Sequence, residues 1–356
     1  MTTRTAHVRT EADVRALVRP NILNLTPYSS ARSEFKGVAE VLLDANESPY
    51  DNGVNRYPDP LAKAVCAELA ALRGVGKEQI MIGNGSDELV DYVSRIFARP
   101  GRDNVLALPP TFGMYKVAAG INDLEFRPVT LRPDFTIPED ELRAAWDQHS
   151  RILWLCSPNN PSGNAADPAL LERLIRDFPG MVVLDEAYVD FTPEASFVPR
   201  LAEFPNLIVL QTMSKGWGLA GARVGMAFAS PFVVTMMQAI KPPYNVNVVS
   251  QQRALDTLRD PGLMRRRVAE LTAERRRLEA ELAPLPFVDR IFPSVTNFLL
   301  VRFTDGPAVY RYLLDRGIVV RNQNYQPHAA NCLRITAGLP TENDRLLAAL
   351  RDYPTT

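Results

Sequence analysis

Short runs of continuous hydrophobicity alternate with helix-like patterns through the middle of the chain. Four of these runs lie at residues 104–108, 152–156, 181–184 and 207–210. Because uninterrupted apolar residues indicate strands buried on both faces, the runs predict a mainly parallel sheet covered by helices. Residues 167–178, between two of the runs, have the spacing of an amphipathic helix. The alternation is typical of an α/β protein.

A long helical pattern then runs from residue 261 to about residue 282. Its two arginine triplets, at 265–267 and 275–277, suggest a nucleic-acid-binding face, but glutamates are interleaved with them. Opposite charges three or four residues apart pair along a helix, so we interpret this surface as solvated and self-paired.

Beyond this helix the pattern predicts a smaller α+β unit. Strand-like stretches lie at 295–303, 317–321 and 332–338, and a helix is expected near residues 308–315.

The length favours two domains, because 356 residues are too many for one compact core. We predict a large domain, with a mostly parallel central sheet flanked by helices, at residues 46–270. A smaller α+β domain is expected to combine residues 1–45 with residues 271–356.

Composition and charge exclude several classes of function. The hydrophobic content of 46%, the charged content of 23% and the net charge of −1 give no reason to expect nucleic acid or an anionic membrane as partner. The N-terminus lacks the apolar core of a signal peptide, and the longest apolar run, near residues 232–240, falls far short of the ~20 residues that cross a bilayer. Three scattered cysteines and three isolated histidines argue against a disulfide framework and a metal site. We expect a cytoplasmic protein.

Polar side chains follow three of the buried strands, at the point where each strand ends. In chain order they are Asn159 and Asn160, Asp185 and Tyr188, and Ser214 and Lys215. Ligands of open parallel sheets bind beyond the carboxyl ends of the strands, so an amide, an acid and a lysine are expected to converge on one edge. Each residue alone is also a common turn former or helix cap, but their joint occurrence favours a site.

Other residues predict that this site holds a phosphate and a flat ring. Ser86 and Asp87 begin an amphipathic helix after a Gly-Asn-Gly turn, where free N–H groups favour an anion. The alternative is that one of them is an ordinary helix cap. Ser214 and Arg223 add a hydroxyl and a guanidinium, and Phe112 follows another buried strand, where it can stack on a ring.

A phosphate, an aromatic partner, an acid and a lysine together describe a site for pyridoxal 5′-phosphate. The lysine forms a Schiff base with the aldehyde of this cofactor, and the acid pairs with the pyridine nitrogen, so that the ring can accept electrons. The glycines around Lys215 leave room for backbone close to the phosphate and for movement of the lysine.

The motifs that contain these residues resemble the fold-type I pyridoxal-phosphate aminotransferases, and within them the histidinol-phosphate aminotransferases. In the order of the family they are NLTPYSSAR, LDANESPY, RYPDP, GNGSDE, PPTFGMY, SPNNPSG, DEAYVDF, SKGWGLAGARVG, VRNQN and CLRITAG, over nearly the whole chain. The motif SKGWGLAGARVG, which contains Lys215, is a strong signal for the fold-type I class. The combination of NLTPYSSAR with VRNQN and CLRITAG is more specific.

The resemblance implies roles for the matched positions in cofactor chemistry. Lys215 would bind the cofactor covalently and carry a proton, and Asp185 would pair with the pyridine nitrogen. Asn160 and Tyr188 would hydrogen-bond the phenolic oxygen of the ring. Phe112 stands where related enzymes often carry tyrosine, a change that keeps the stacking and loses a hydroxyl contact.

The resemblance also implies the phosphate and substrate contacts. The cofactor phosphate would be held by Ser86, Asp87 through its backbone N–H, Ser214, Arg223 and Tyr57 of the neighbouring subunit, so that the active sites are shared in a homodimer. The substrate would face Tyr28, Arg321 and Arg334.

The two arginines favour a phosphate-bearing substrate. Histidinol phosphate lacks an α-carboxylate, and two guanidinium groups suit a phosphate near charge −2 better than a carboxylate. For Arg321 the alternative is a surface salt bridge at a strand end. The expected reaction transfers an amino group between glutamate/2-oxoglutarate and imidazole acetol phosphate/L-histidinol phosphate in histidine biosynthesis.

Other functions share the cofactor residues. An aromatic amino acid aminotransferase and a threonine-phosphate decarboxylase of the same superfamily are alternatives that an assay of the product would separate. A non-catalytic cofactor-binding regulator is a remote alternative, because about twenty residues before NILNLTPY are too few for a DNA-binding unit.

Overall fold

A computed structural model describes residues 9–28, 34–35, 37 and 40–354 of the chain. Within these ranges the strands form one sheet of seven strands and one of four. The strands are β1 (Ile80–Asn84), β2 (Asn104–Ala107), β3 (Glu125–Pro128), β4 (Ser150–Cys156), β5 (Met181–Asp185), β6 (Leu207–Thr212), β7 (Val224–Phe228), β8 (Val288–Ile291), β9 (Phe298–Phe303), β10 (Arg321–Asn322) and β11 (Cys332–Thr336).

Helices surround both sheets. They are α1 (Glu11–Leu17), α2 (Pro20–Leu23), α3 (Lys63–Arg73), α4 (Ser86–Phe97), α5 (Met114–Ile121), α6 (Glu139–Ala145), α7 (Pro168–Asp177), α8 (Pro231–Ile240), α9 (Val248–Leu258), α10 (Pro261–Leu282), α11 (Gly306–Leu314) and α12 (Pro340–Arg351). Short 3-10 segments lie at Lys77–Gln79, Val189–Phe191, Pro193–Ala195, Val198–Glu203 and Ala220–Ala222.

The large sheet has the strand order β1-β7-β6-β5-β4-β2-β3. Its strands β2 to β6 pair in parallel, whereas β7 is antiparallel to both of its neighbours. The four hydrophobic runs of the sequence are β2, β4, β5 and β6, and β2, β5 and β6 are buried along their whole length. The predicted α/β fold with a mostly parallel sheet is therefore confirmed.

Helices pack on both faces of this sheet, as the continuous hydrophobicity predicts. Alternate residues of β4 enter different clusters: Leu153 and Leu155 join α3 and α7 on one face, and Ile152 and Trp154 join α4, α5 and α8 on the other. Because burial of one such side chain stabilises by about 1.5–3 kcal/mol, the two faces together hold the parallel strands rigidly. Their carboxyl ends therefore form a fixed platform.

The small sheet has the order β10-β11-β9-β8 and is antiparallel throughout. The prediction of a strand at residues 317–321 was wrong for most of that stretch, because only Arg321 is paired. Gly317, with φ of 70°, and Ile318 instead close the end of α11 through backbone N–H groups that donate to Leu314 and Leu313. These hydrophobic residues therefore follow the end of a helix, and pairing in the sheet begins only at Arg321.

Helix α10 connects the two units. Met264 near its start packs against the large-sheet core, whereas Leu278 and Leu282 near its end lie in the small-sheet core. The predicted boundary at residue 270 lies between them. Val14 and Val18 are buried with α4 and α8 on the large sheet. We therefore propose that residues 9–28 belong with the large unit, although the sequence-based division placed them with the small one.

In the described ranges, no helix is long and apolar enough to cross a membrane. The same part of the chain contains no cluster of histidine, cysteine and carboxylate side chains arranged to hold a metal ion.

Candidate active site

A cavity of about 260 Å³ opens where β4, β5 and β6 end. Its volume is close to the lower end of the range for small-molecule sites, roughly 300–1,000 Å³. The cavity brings together nine of the residues predicted for the site. They are Ser86, Asp87, Phe112, Asn160, Asp185, Tyr188, Ser214, Lys215 and Arg223.

Asp185 is the last residue of β5 and has only 3% of its surface exposed. Its Oδ1 accepts a hydrogen bond from the backbone N–H of Ala187 at 3.0 Å, and its Oδ2 accepts one from the hydroxyl of Tyr115 at 2.6 Å. Burial raises the pKa of the Asp185 carboxyl, and the hydrogen bond from Tyr115 opposes that rise. A buried carboxyl of this kind is stabilised as an anion by a cationic partner in the cavity.

Lys215 lies in the loop after β6 and points its amine toward the ring of Tyr188, with Nζ 5.6 Å from the ring centroid. Burial lowers the pKa of this amine, and the positive charge of Arg334 lowers it further. A lower pKa increases the neutral, nucleophilic fraction of the amine at a given pH. Lys215 is thus placed and tuned to react with a carbonyl group.

The start of α4 has the features that favour an anion. Gly85, with φ of 79°, occupies the N-cap, and no side chain in the described part of the chain caps the helix. The alternative that Ser86 or Asp87 serves as an ordinary cap is therefore wrong. Ser214 and Arg223 line the same end of the cavity, and Nη2 of Arg223 lies 3.2 Å from Oδ2 of Asp87. Free N–H groups, a hydroxyl and a guanidinium are the donors that a phosphate requires.

A close backbone approach explains one of the glycines after Lys215. A Cβ added to Gly225 of β7 would lie 2.3 Å from the backbone nitrogen of Ser86 and 2.4 Å from the carbonyl carbon of Gly85. Any larger residue would push the start of α4 away from the sheet. The glycine therefore fixes the position of the anion site relative to β6 and β7.

Two arginines of the small sheet, Arg321 and Arg334, line a separate cavity of about 650 Å³ rather than the cavity of Lys215. Arg321 and Arg334 are directly opposite each other in the β10–β11 pair, so their side chains share one face. Arg334 donates from Nη1 to Oδ1 of Asn160, and its buried Nε has no hydrogen-bond partner within the described ranges. Burial, followed by the charge of Arg321, lowers the pKa of Arg334. An anion between the two guanidinium groups would satisfy both.

Two further predicted residues, Tyr57 and Tyr28, also lie away from the cavity within one chain. The ring of Tyr57 is half-exposed and stacks on Tyr244 at 4.4 Å between centroids, beside a separate hollow. Tyr28 is 73% exposed. The motif that contains Tyr28 continues through residues 29–32, which lie outside the described residues, as do residues 1–8.

The sequence reasoning missed four lining residues and one supporting residue. The lining residues are Cys156, Ala187, Thr212 and Ala220. The supporting residue is Tyr115, whose hydroxyl contacts Asp185 from behind the cavity. Tyr115 follows Phe112 by three residues in the PPTFGMY motif, but Phe112 precedes the helix, so helical spacing gave no signal for Tyr115.

Comparison with known proteins identifies a family that matches this sequence. The sequence profile of aminotransferase class I and II matches residues 22–350. The chain belongs to this family.

Close relatives of this aminotransferase are known. A histidinol-phosphate aminotransferase of Parabacteroides distasonis is 48% identical over 340 residues, which are 96% of this chain and 99% of that protein. One of Bacteroides fragilis is 48% identical over 341 residues, with the same coverage. The solved structure of histidinol-phosphate aminotransferase from Sinorhizobium meliloti in complex with pyridoxal-5′-phosphate has a TM-score of 0.75 at 25% identity and covers 84% of each chain.

As a member of this family, the protein is a pyridoxal-phosphate-dependent transaminase. The residues of the cavity fit that cofactor. The uncapped start of α4 suits its phosphate, the buried carboxyl of Asp185 suits a protonated ring nitrogen, and the amine of Lys215, whose pKa is lowered by burial, suits its aldehyde.

Proposed function

We propose that this aminotransferase is a histidinol-phosphate aminotransferase. It would transfer the amino group of glutamate to imidazole acetol phosphate, giving 2-oxoglutarate and L-histidinol phosphate in histidine biosynthesis. The relatives with 48% identity over almost the whole chain support this proposal. The single structural observation that carries it is the cross-strand pair of Arg321 and Arg334, of which Arg334 contacts Asn160 of the cavity.

In this proposal nine lining residues would hold pyridoxal phosphate. Lys215 would bind it covalently, Asp185 would pair with the ring nitrogen, Phe112 would stack on the ring, and Tyr188 and Asn160 would hydrogen-bond the phenolic oxygen. The phosphate contacts are Ser86, Asp87, Ser214 and Arg223, together with Tyr57 of a second copy of the chain.

The bound cofactor supplies an electron sink for the carbon that loses its proton. The chain supplies the proton transfer and the positioning. Lys215 would take the proton from the substrate carbon at Nζ and later return it, which its lowered pKa favours. Asn160 keeps its Nδ2 for the ring oxygen, because its Oδ1 is already held by Arg334.

Arg321 and Arg334 would bind the phosphate of the substrate, and Tyr28 would contact its other side. Two adjacent guanidinium groups match a dianion, and the unpartnered Nε of Arg334 supplies one of the donors. The carboxylate of 2-oxoglutarate would occupy the same place with one charge fewer. A dianion is therefore the better match.

Half-reactions followed by visible absorbance test the substrate. Loss of the absorbance band should be much faster with histidinol phosphate than with phenylalanine, and threonine phosphate should release no carbon dioxide. Preference for phenylalanine, or carbon dioxide from threonine phosphate, would refute the proposal in favour of one of the related enzymes.

We further propose that the protein is a cytoplasmic homodimer. Nine of the seventeen large hydrophobic residues exposed in the described ranges lie between residues 25 and 61. So many exposed apolar side chains in one stretch of the chain favour an interface rather than contact with water. Tyr57 belongs to it, which supports its role in the site of a second copy. The three free cysteines are in keeping with a reducing compartment.

A further inference from the structure

Tyr115 is a buried tyrosine next to the proposed cofactor site. It lies in the first turn of α5 and has 1% of its surface exposed. Its hydroxyl donates to Oδ2 of Asp185 at 2.6 Å, within the range of about 2.5–2.7 Å that hydroxyl–carboxylate hydrogen bonds have. The residue thus contacts the carboxyl that is proposed to pair with the ring nitrogen.

Aromatic packing fixes where this hydroxyl can be. The ring of Tyr115 stacks on Trp154 of β4, with centroids 4.9 Å apart and planes 7° from parallel. The rings of Phe112 and Tyr115 meet edge to face, with centroids 5.6 Å apart and planes at 83°. Held by these two contacts, the Tyr115 ring loses little further freedom when its hydroxyl bonds to the carboxylate.

The Asp185 carboxylate is therefore held by two donors. Tyr115 binds Oδ2, and the backbone N–H of Ala187 binds Oδ1 at 3.0 Å. One donor on each oxygen sets the plane of the carboxylate while leaving each oxygen a second lone pair. Asp185 lines the cavity with this plane already fixed.

We propose that Tyr115 is a positioning residue, whose hydroxyl orients the Asp185 carboxylate and keeps it ionised so that the shared proton stays on the ring nitrogen of bound pyridoxal phosphate. This inference rests on the proposed function. A hydrogen bond donated to an anion stabilises it relative to its neutral acid. Without the hydroxyl, the buried carboxyl becomes a stronger base, and the proton moves from nitrogen toward oxygen. The ring then accepts electrons less well.

The test is Tyr115→Phe, which removes the hydroxyl and keeps the ring and its stacking. The holoenzyme is loaded with cofactor labelled with ¹⁵N in the ring, and the chemical shift of that nitrogen is measured. Wild-type protein should give the signal of a protonated nitrogen, and Tyr115→Phe should move it toward that of neutral pyridine. The kcat should fall roughly tenfold to a hundredfold, the range for one hydrogen bond to a charged group, with KM little changed.

Tyr92→Phe is the matched control. Tyr92 is also a buried tyrosine, with 4% of its surface exposed, but it lies on α4 and does not line the cavity. Its variant should keep the wild-type nitrogen signal and kcat.

Asp185→Ala is the reference that separates this inference from the proposed function. It should give the neutral-nitrogen signal. If it does while Tyr115→Phe keeps the wild-type signal, Tyr115 only packs, and the inference is wrong even if kcat falls. If Asp185→Ala itself leaves the signal unchanged, the proposed pairing of Asp185 with the ring is wrong.

Discussion

The amine of Lys215 lies partly buried beside the positive charge of Arg334, and both effects lower its pKa below the ordinary value of 10.5. A lowered pKa means that the amine is neutral at lower pH. The rate at which cofactor-free protein binds pyridoxal phosphate should therefore rise with pH, with a midpoint below pH 10.5. Arg334→Gln removes one positive neighbour, so it should raise this midpoint. Arg311→Gln, on the exposed side of α11, should not. The measurement is the growth rate of the visible band against pH; equal midpoints in all three proteins would contradict the assignment.

Substitution of Arg321 should change the KM for histidinol phosphate more than the KM for 2-oxoglutarate. Its guanidinium matters more for a doubly charged phosphate than for a carboxylate, so Arg321→Ala should raise KM for histidinol phosphate roughly tenfold to a hundredfold. The KM for 2-oxoglutarate should rise less. Arg321→Lys, which keeps a charge but not the fork of donors, should fall between wild type and Arg321→Ala. Equal losses for both substrates in separate half-reactions would show that Arg321 binds carboxylates or has a structural role.

Several of the lining residues could be predicted from the sequence because they lie where a strand of the parallel part of the sheet ends. Asp185 and Lys215 are examples: parallel strands place their carboxyl ends on one edge, so order along the chain implies proximity. The contact between Tyr115 and Asp185 could not be predicted, since it joins residues 70 positions apart through the packing of α5 on β4. The roles of Tyr28 and Tyr57 depend on contacts that one chain does not make.

The start of α4 and strand β7 form one element of the site, and Gly225 is where they touch. Gly225→Ala would place a methyl group against the backbone of Ser86, so it should cost about 1–3 kcal/mol of unfolding free energy and weaken cofactor binding. Gly120→Ala is the control, because a Cβ on this helical glycine meets nothing within 4 Å. It should be neutral or stabilise by up to about 1 kcal/mol. Denaturant unfolding and cofactor titration measure both effects; wild-type values for Gly225→Ala would refute the close-approach argument.

The elements of the large unit were more predictable than those of the small one. Strands buried on both faces, such as residues 181–185, have continuous hydrophobicity that short loops and surface strands lack. The stretch at residues 317–321 is also hydrophobic, but local hydrogen bonds place its first residues at the end of α11, and only Arg321 enters an edge strand of two residues. Local hydrophobicity does not show whether a segment ends a helix or pairs in a sheet.

At the scale of the whole molecule, the proposed dimer should be essential for activity. Tyr57→Ala and Lys215→Ala should each be inactive or strongly impaired, because each removes one contact from every site. When the two variants are mixed, unfolded and reassembled, one site of a mixed dimer carries both natural residues and should regain activity. The measurement is activity after reassembly, with each variant treated alone as the control. If mixed dimers form without recovery while Tyr57→Ala alone is impaired, Tyr57 acts within its own subunit.

The facing arginines of the small sheet have a consequence for the melting temperature of the enzyme. Like charges directly opposite each other on a strand pair are destabilising, so Arg321 and Arg334 weaken the sheet until a counter-ion lies between them. With the cofactor already bound, inorganic phosphate should therefore raise the melting temperature more than chloride does at equal ionic strength. Arg321→Ala should melt higher than wild type without phosphate and lose most of the response to it. The arginine pair that recognises the substrate would then lower the melting temperature of the substrate-free enzyme. A thermal scan with and without phosphate would measure this loss and its reversal by the anion.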